Sequence, residues 1–271
     1  MAVEPVLQPL SALVECEPSA AVGRKFIGDT GGLQHWLEGD AVSRILRGDP
    51  DGWDVMHDYL EYQHWGTLMF EEIYQRDTRP DPHRLRLTIR AFSEVLLALH
   101  LGRRPAADAT LLRLSREARE KECRHWKHST GALAFQVRLY ELWTGRDADF
   151  DMGKLPPLGE YEQLLDPTCV GERYRASLAW ACAEHIAQTV DTKKRCPPFN
   201  IGLFRTLPME IVLWQRYRER LGLDAETDQH PLLESPLALR TPPPRSAPPS
   251  ALRTLLNRAI PHMDAYLRES A

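Results

Sequence analysis

The sequence lacks any run approaching the roughly 18 apolar residues that a membrane-spanning helix requires. Its opening, Met1-Ala2-Val3-Glu4-Pro5, does not begin a basic stretch followed by an apolar one, so no signal peptide is expected and the reading is a cytoplasmic protein. Paired cysteines are missing as well. The five cysteines, Cys16, Cys123, Cys169, Cys182 and Cys196, are odd in number, scattered and never in a C-x-x-C pair. That argues against a disulfide framework and leads us to expect buried thiols in a reducing compartment. Strand signals are equally scarce: no useful length alternates at a period of two or clusters β-branched residues, which argues against a sheet as the organising element. The glycine-rich cradles G-x-x-x-x-G-K-[ST] and G-x-G-x-x-G and the nucleophile elbow G-x-S-x-G are absent. Neither nucleotide binding by those loops nor hydrolase chemistry is indicated, and the expectation is a protein that is not an enzyme and needs no cofactor.

What is present is helical periodicity. With 43% apolar and 27% charged residues over 271 positions, the chain can bury a substantial core without disulfides or metal. Residues 1–28 carry Pro5, Pro9 and Pro18 and no clear period, which reads as an extended N-terminal arm. Gly31-Gly32 then precedes a helix through Leu33, Trp36, Leu37, Val42, Ile45 and Leu46, and Gly48-Asp49-Pro50-Asp51-Gly52 ends it. Further helices are expected over about 53–75, 85–101, 105–128, 130–143, 172–190 and 208–221. The segment 85–101 is apolar on more than one face and reads as a central helix. Residues 146–167 form an acidic break with room for one short helix. The domain reading is an arm (1–28), a helical body (29–240), a proline-rich linker (241–249) and a C-terminal helix (250–271). The fold class is all-α, an irregular bundle or array of antiparallel helical hairpins.

Two patterns could hold metal. Glu61-x-x-His64 and Glu122-x-x-His125 each set an acid and an imidazole one helical turn apart. With Glu38 and Glu94 preceding them, they give the order of a ferritin-like di-metal carboxylate oxidase. Cys123-x-His125-x-x-His128 and Cys182-x-x-His185 have spacings that zinc accepts, but on helices rather than knuckles. The plainer reading of both is solvated charge and buried thiols, so metal is the alternative and not the expectation.

Charge segregation is more extensive. The formal net charge of −4 conceals residues 29–81, where twelve carboxylates face four arginines, and residues 83–128, where eleven basic residues face five acids. Acids Asp29, Glu38, Asp40, Asp49, Asp51, Asp54, Asp58 and Glu61 lie among Trp36, Trp53, Tyr59, Tyr62 and Trp65. A second acidic group, Asp147, Asp149, Asp151, Glu160 and Glu162, occupies the 146–167 break. Carboxylates around aromatic anchors are what a basic protein partner would meet. Lys193-Lys194-Arg195, with no interleaved aromatics, reads as a solvated loop, so neither nucleic acid nor membrane is an expected partner.

Residues 172–236 resemble the C-terminal part of the all-helical immunity proteins of bacterial polymorphic-toxin and type VI secretion systems. The shared layout is a helix carrying Tyr174, Leu178, Trp180 and His185, a variable loop, then Leu207-Pro208-Met209-Glu210-Ile211-Val212-Leu213-Trp214. An exit at Gly222-Leu223 and His230-Pro231-Leu232-Leu233 complete it, and residues 96–113 look like the helical hairpins of the same proteins. The triple-proline linker and terminal helix fall outside the pattern. The resemblance implies a cytoplasmic inhibitor that binds and neutralises a cognate antibacterial toxin, a nuclease among the possibilities. It carries over no catalytic residue. A helical scaffold or adaptor is the rival reading.

Overall fold

The computed structural model describes residues 4–76, 82–120, 130–190, 197–200, 202–223, 230–239, 241–245 and 251–269. Among them no strand occurs, and the fold is all-α, an array of packed helices. No described helix is long and apolar enough to cross a membrane. The chain divides into two compact units, Met1–Pro80 with Pro243–Ala271, and Asp81–Pro242.

The first unit contains α1 (Glu4–Val14), α2 (Ala20–Leu46), α3 (Asp51–Arg76) and α11 (Ala251–Glu269). Two expectations are corrected here. Where the prolines suggested an extended arm, residues Glu4–Val14 are helical, and α2 begins at Ala20, with Gly31-Gly32 inside it rather than before it. Pro5 falls in the first turn of α1, where a missing N–H is tolerated, and Ser19 caps α2 by accepting from the Val22 N–H. Burial outweighs the poor helix propensity of those glycines. Leu33, Leu37, Ala41 and Ile45 recur every fourth residue and are buried, each apolar side chain contributing roughly 1.5–3 kcal/mol on the scale for a fully covered leucine or isoleucine and less for alanine. They pack where α2 meets α3 and α11. The C-terminal helix adds Leu252, Leu255, Leu256, Ala259 and Met263, all buried at helical spacing. It therefore docks on the N-terminal helices instead of forming a separate tail.

The second unit is built around α4 (Pro82–His100), with α5 (Arg104–Glu120), α6 (Gly131–Thr144), α7 (Tyr161–Leu165), α8 (Gly171–Ala187), α9 (Met209–Arg220) and α10 (Pro231–Glu234). Every residue from Ile89 through Leu101 is buried, so α4 is the central helix that its apolar residues on more than one face foretold. It packs on α5, α6 and α9. Thr130 caps the start of α6 through the Ala132 N–H, and Gly145, in the left-handed conformation at φ 67°, ends it. An aromatic seam links the later helices. Phe135 stacks on Tyr161 at 4.9 Å, Tyr161 meets Trp180 edge-on, and Tyr174 stacks on Trp214.

Of the cysteines expected to be buried, Cys169 and Cys182 are, whereas Cys16 is exposed because it lies just past the end of α1. Cys123 and Cys196 lie outside the described residues.

Candidate functional site

The two acidic groups differ in how the fold uses them. In the first unit four of the eight carboxylates, Asp40, Asp49, Asp58 and Glu61, meet the chain's own arginines. Asp40 and Asp49 both pair with Arg44, at 2.9 and 3.3 Å, and Asp49 also accepts the Asp51 N–H. Asp58 accepts from Arg245 at 2.7 Å, and Glu61 faces Arg253 at 3.5 Å. Glu38 is buried, Asp54 half-buried, and Asp51 exposed. The Asp29 side chain lies outside the described residues. Aromatic anchors expected on a rim, Trp53, Tyr59 and Tyr62, are instead core.

In the second unit Asp147, Asp149, Asp151, Glu160 and Glu162 are all exposed. The segment that carries them is nonetheless fixed. Buried Ala148, Leu155, Tyr161 and Leu164 alternate with the acids and tie it to the core. The Ser115 hydroxyl donates to the Ala148 carbonyl, the Ala148 N–H to Glu141, and the Trp214 indole N–H to the Leu164 carbonyl at 2.7 Å. Asp149 is in the left-handed region, at φ 49°, a conformation that aspartate tolerates better than most residues. Arg119 donates to both its carbonyl and its carboxylate. Asp147 accepts the Asp149 N–H, Asp151 the Gly153 N–H, and Glu160 the Gln163 amide. Residues 146–167 hold six acids against Arg146 and Lys154, so a net charge of −4 sits on an anchored ridge.

Beside this ridge lies a surface depression of about 390 Å³ between the end of α6 and Leu165, with Arg138, Glu141, Arg146 and Asp147 on its walls. Its arginines are engaged locally: Arg138 donates to Glu141 and Arg146 to Asp108. Arg104 and Arg220 donate to the Thr144 and Trp143 carbonyls at the end of α6, a favourable place for cations. Apart from the one-turn pair Arg138–Glu141 within α6, these supporting roles were not legible in the sequence, because each joins residues at least 30 positions apart or depends on which way a loop turns.

The positions considered for metal fall differently. Glu38, Glu61 and His64 belong to the first unit and Glu94 to the second. Glu122 and His125 lie outside the described residues. Glu94 bonds to Arg90 at 3.0 Å, yet burial outweighs that arginine and holds its carboxyl above the usual range. Cys182 and His185 are both fully buried. His185 Nδ1 is 2.7 Å from Glu210 and its ring stacks on Phe199, while burial, then the Glu210 charge, push the Cys182 thiol up to about 12. Among the described residues no group of three or more His, Cys, Asp or Glu could hold a metal ion.

Comparison of the chain with protein-family models, with curated proteins and with solved structures returns no match.

Proposed function

We propose that the chain is an immunity protein, a helical inhibitor that binds and neutralises a cognate antibacterial toxin through protein–protein contact. The observation that carries this reading is the anchored ridge of exposed carboxylates Asp147, Asp149, Asp151, Glu160 and Glu162. A fixed acidic surface loses little entropy on binding and attracts a basic partner over about a Debye length. A nuclease, whose own surface must attract phosphate, is the toxin class this charge suits. The layout over residues 172–236 supports the same reading by resemblance. The acids of the first unit contribute less, since four of the eight are already committed to internal arginines and Glu38 is buried.

The test has two arms. Co-expression with a toxin encoded beside this chain should rescue growth. With that toxin purified, reversing Asp147, Asp151 and Glu160 to lysine should slow association by about tenfold or more at low salt, and added salt should slow the unaltered pair. Failure of rescue sinks the immunity reading. Rescue with an association rate indifferent to salt and to those substitutions removes the ridge as the interface.

A further inference from the structure

We infer that Arg218 forms an internal site for a small free oxyanion, a carboxylate or a phosphate. Arg218 lies in the last turn of α9 with only 2% of its surface exposed. Its guanidinium rests over the Tyr174 ring at 4.3 Å and reaches Trp214 at 5.5 Å, and those two rings are themselves stacked. Ring contacts of this kind cover the flat face of the cation and leave its in-plane N–H groups to find partners of their own. Here Nε and Nη2 find none: both are buried, and no described residue accepts from either. Gln215, three residues earlier in α9 and also 2% exposed, buries its amide Nε2 without an acceptor.

The two idle atoms of Arg218 form a matched pair. Nε and Nη2 share one edge of the guanidinium plane, the edge whose parallel N–H groups fit two oxygens of a single carboxylate or phosphate. An arginine keeps its charge inside a protein, and a buried charge without a counter-charge is costly to hold. The acid in register with it is already engaged: Glu210, two turns earlier on the same face of α9, is 2.7 Å from His185. Tyr174 belongs to the first turn of α8, the positive end of that helix. Donors and positive charge thus gather here, and among the described residues no carboxylate pairs with Arg218. Burial limits the size of the ligand. A macromolecule cannot bring a group onto a side chain so fully covered, whereas an ion of a few atoms can enter when the last turn of α9 opens, helix ends being the least costly part to unfold.

Calorimetric titration of the full chain with sodium phosphate and, separately, sodium acetate, each at constant ionic strength against chloride, tests this. At least one of the two should bind at a single site per chain, and the tighter of them names the ligand class. Arg218→Lys keeps the charge and loses the two-toothed edge, so its affinity should fall about tenfold or more. Arg218→Met keeps bulk against the two rings and removes the charge. It should lose the site, yet unfold in chloride buffer at a temperature no lower than the wild type, because no unpaired charge remains to be buried. Absence of binding by either anion overturns the proposal, as does wild-type affinity in Arg218→Lys or any remaining binding in Arg218→Met. A marked loss of stability of Arg218→Met in chloride also overturns it, since the chain would then already supply the counter-charge.

Discussion

Asp58 on α3 accepts a 2.7 Å hydrogen bond from Arg245, 187 residues later in the chain. The pair is largely buried, with side-chain exposures of 11% and 16%, and Arg245 lies just after the Thr241-Pro242-Pro243-Pro244 stretch that returns the chain to its N-terminal helices. It joins two sequence-distant parts of the first unit. Arg245→Ala should therefore lower stability by about 1–3 kcal/mol, because a part-buried carboxylate loses a charged donor. Asp58→Asn should cost less, since the amide oxygen still accepts. Urea unfolding of the two single variants and the double variant measures the coupling, and purely additive losses would contradict it.

Gly131 opens α6 against the loop that leads into the acidic ridge. A Cβ there would strike the Leu158 carbonyl oxygen and come within 2.7 Å of that of Pro157. These are backbone atoms that cannot rotate away, so Gly131→Ala should displace the loop and cost about 1–3 kcal/mol. Thermal unfolding reads the loss. The same variant leaves every charge in place, so slower association with a basic partner would show that the position of the ridge matters as well as its charge.

His100 provides a pH dependence with a defined sign. Burial, then the neighbouring Arg216, lower its pKa to about 3, and Arg216 lies 3.2 Å from Nδ1, where it donates to the neutral ring. The unfolded chain, with His100 near 6.5, binds the proton more readily. Stability is therefore undiminished above about 6.5 and falls as pH drops toward about 3. Between about pH 7.5 and 5 this one group should account for about 2 kcal/mol. His100→Gln retains an acceptor for Arg216 and should flatten the urea midpoint across that interval. An unchanged slope would show that another group governs it.

The thiols should react in order of exposure. Cys16 is exposed, Cys169 and Cys182 are buried, and the Cys182 thiol is pushed up to about 12. Alkylation of the folded protein near neutral pH should modify Cys16 and spare the other two, and denaturant should release both. Peptide mass mapping distinguishes them. Labelling of Cys182 without denaturant would mean that α8 separates readily from α9, whose Glu210 faces the same buried cluster.

Local chemistry made much of the fold readable. The α4 segment is apolar on more than one face and is buried from Ile89 through Leu101, and Thr130 and Gly145 mark the two ends of α6 as N-cap and left-handed C-cap. The start of the chain is helical against its local signals, because proline and glycine act only over a few residues. Pro5 is harmless in a first helical turn, and the glycines of α2 are carried by Leu33, Leu37, Ala41 and Ile45, whose burial needs partners far along the chain. The candidate site was half legible. Acidity was visible at both places, but the sequence could not separate carboxylates consumed by Arg44, Arg245 and Arg253 from those left on the surface.

The sequence by itself determined that the elements are helices and where most of them stop, because period, caps and turns act over a few residues. Only the tertiary structure decided that the last helix belongs with the first three and which acids remain exposed. Those outcomes depend on burial and on pairings across as many as 187 residues, and no local pattern encodes a distance of that kind.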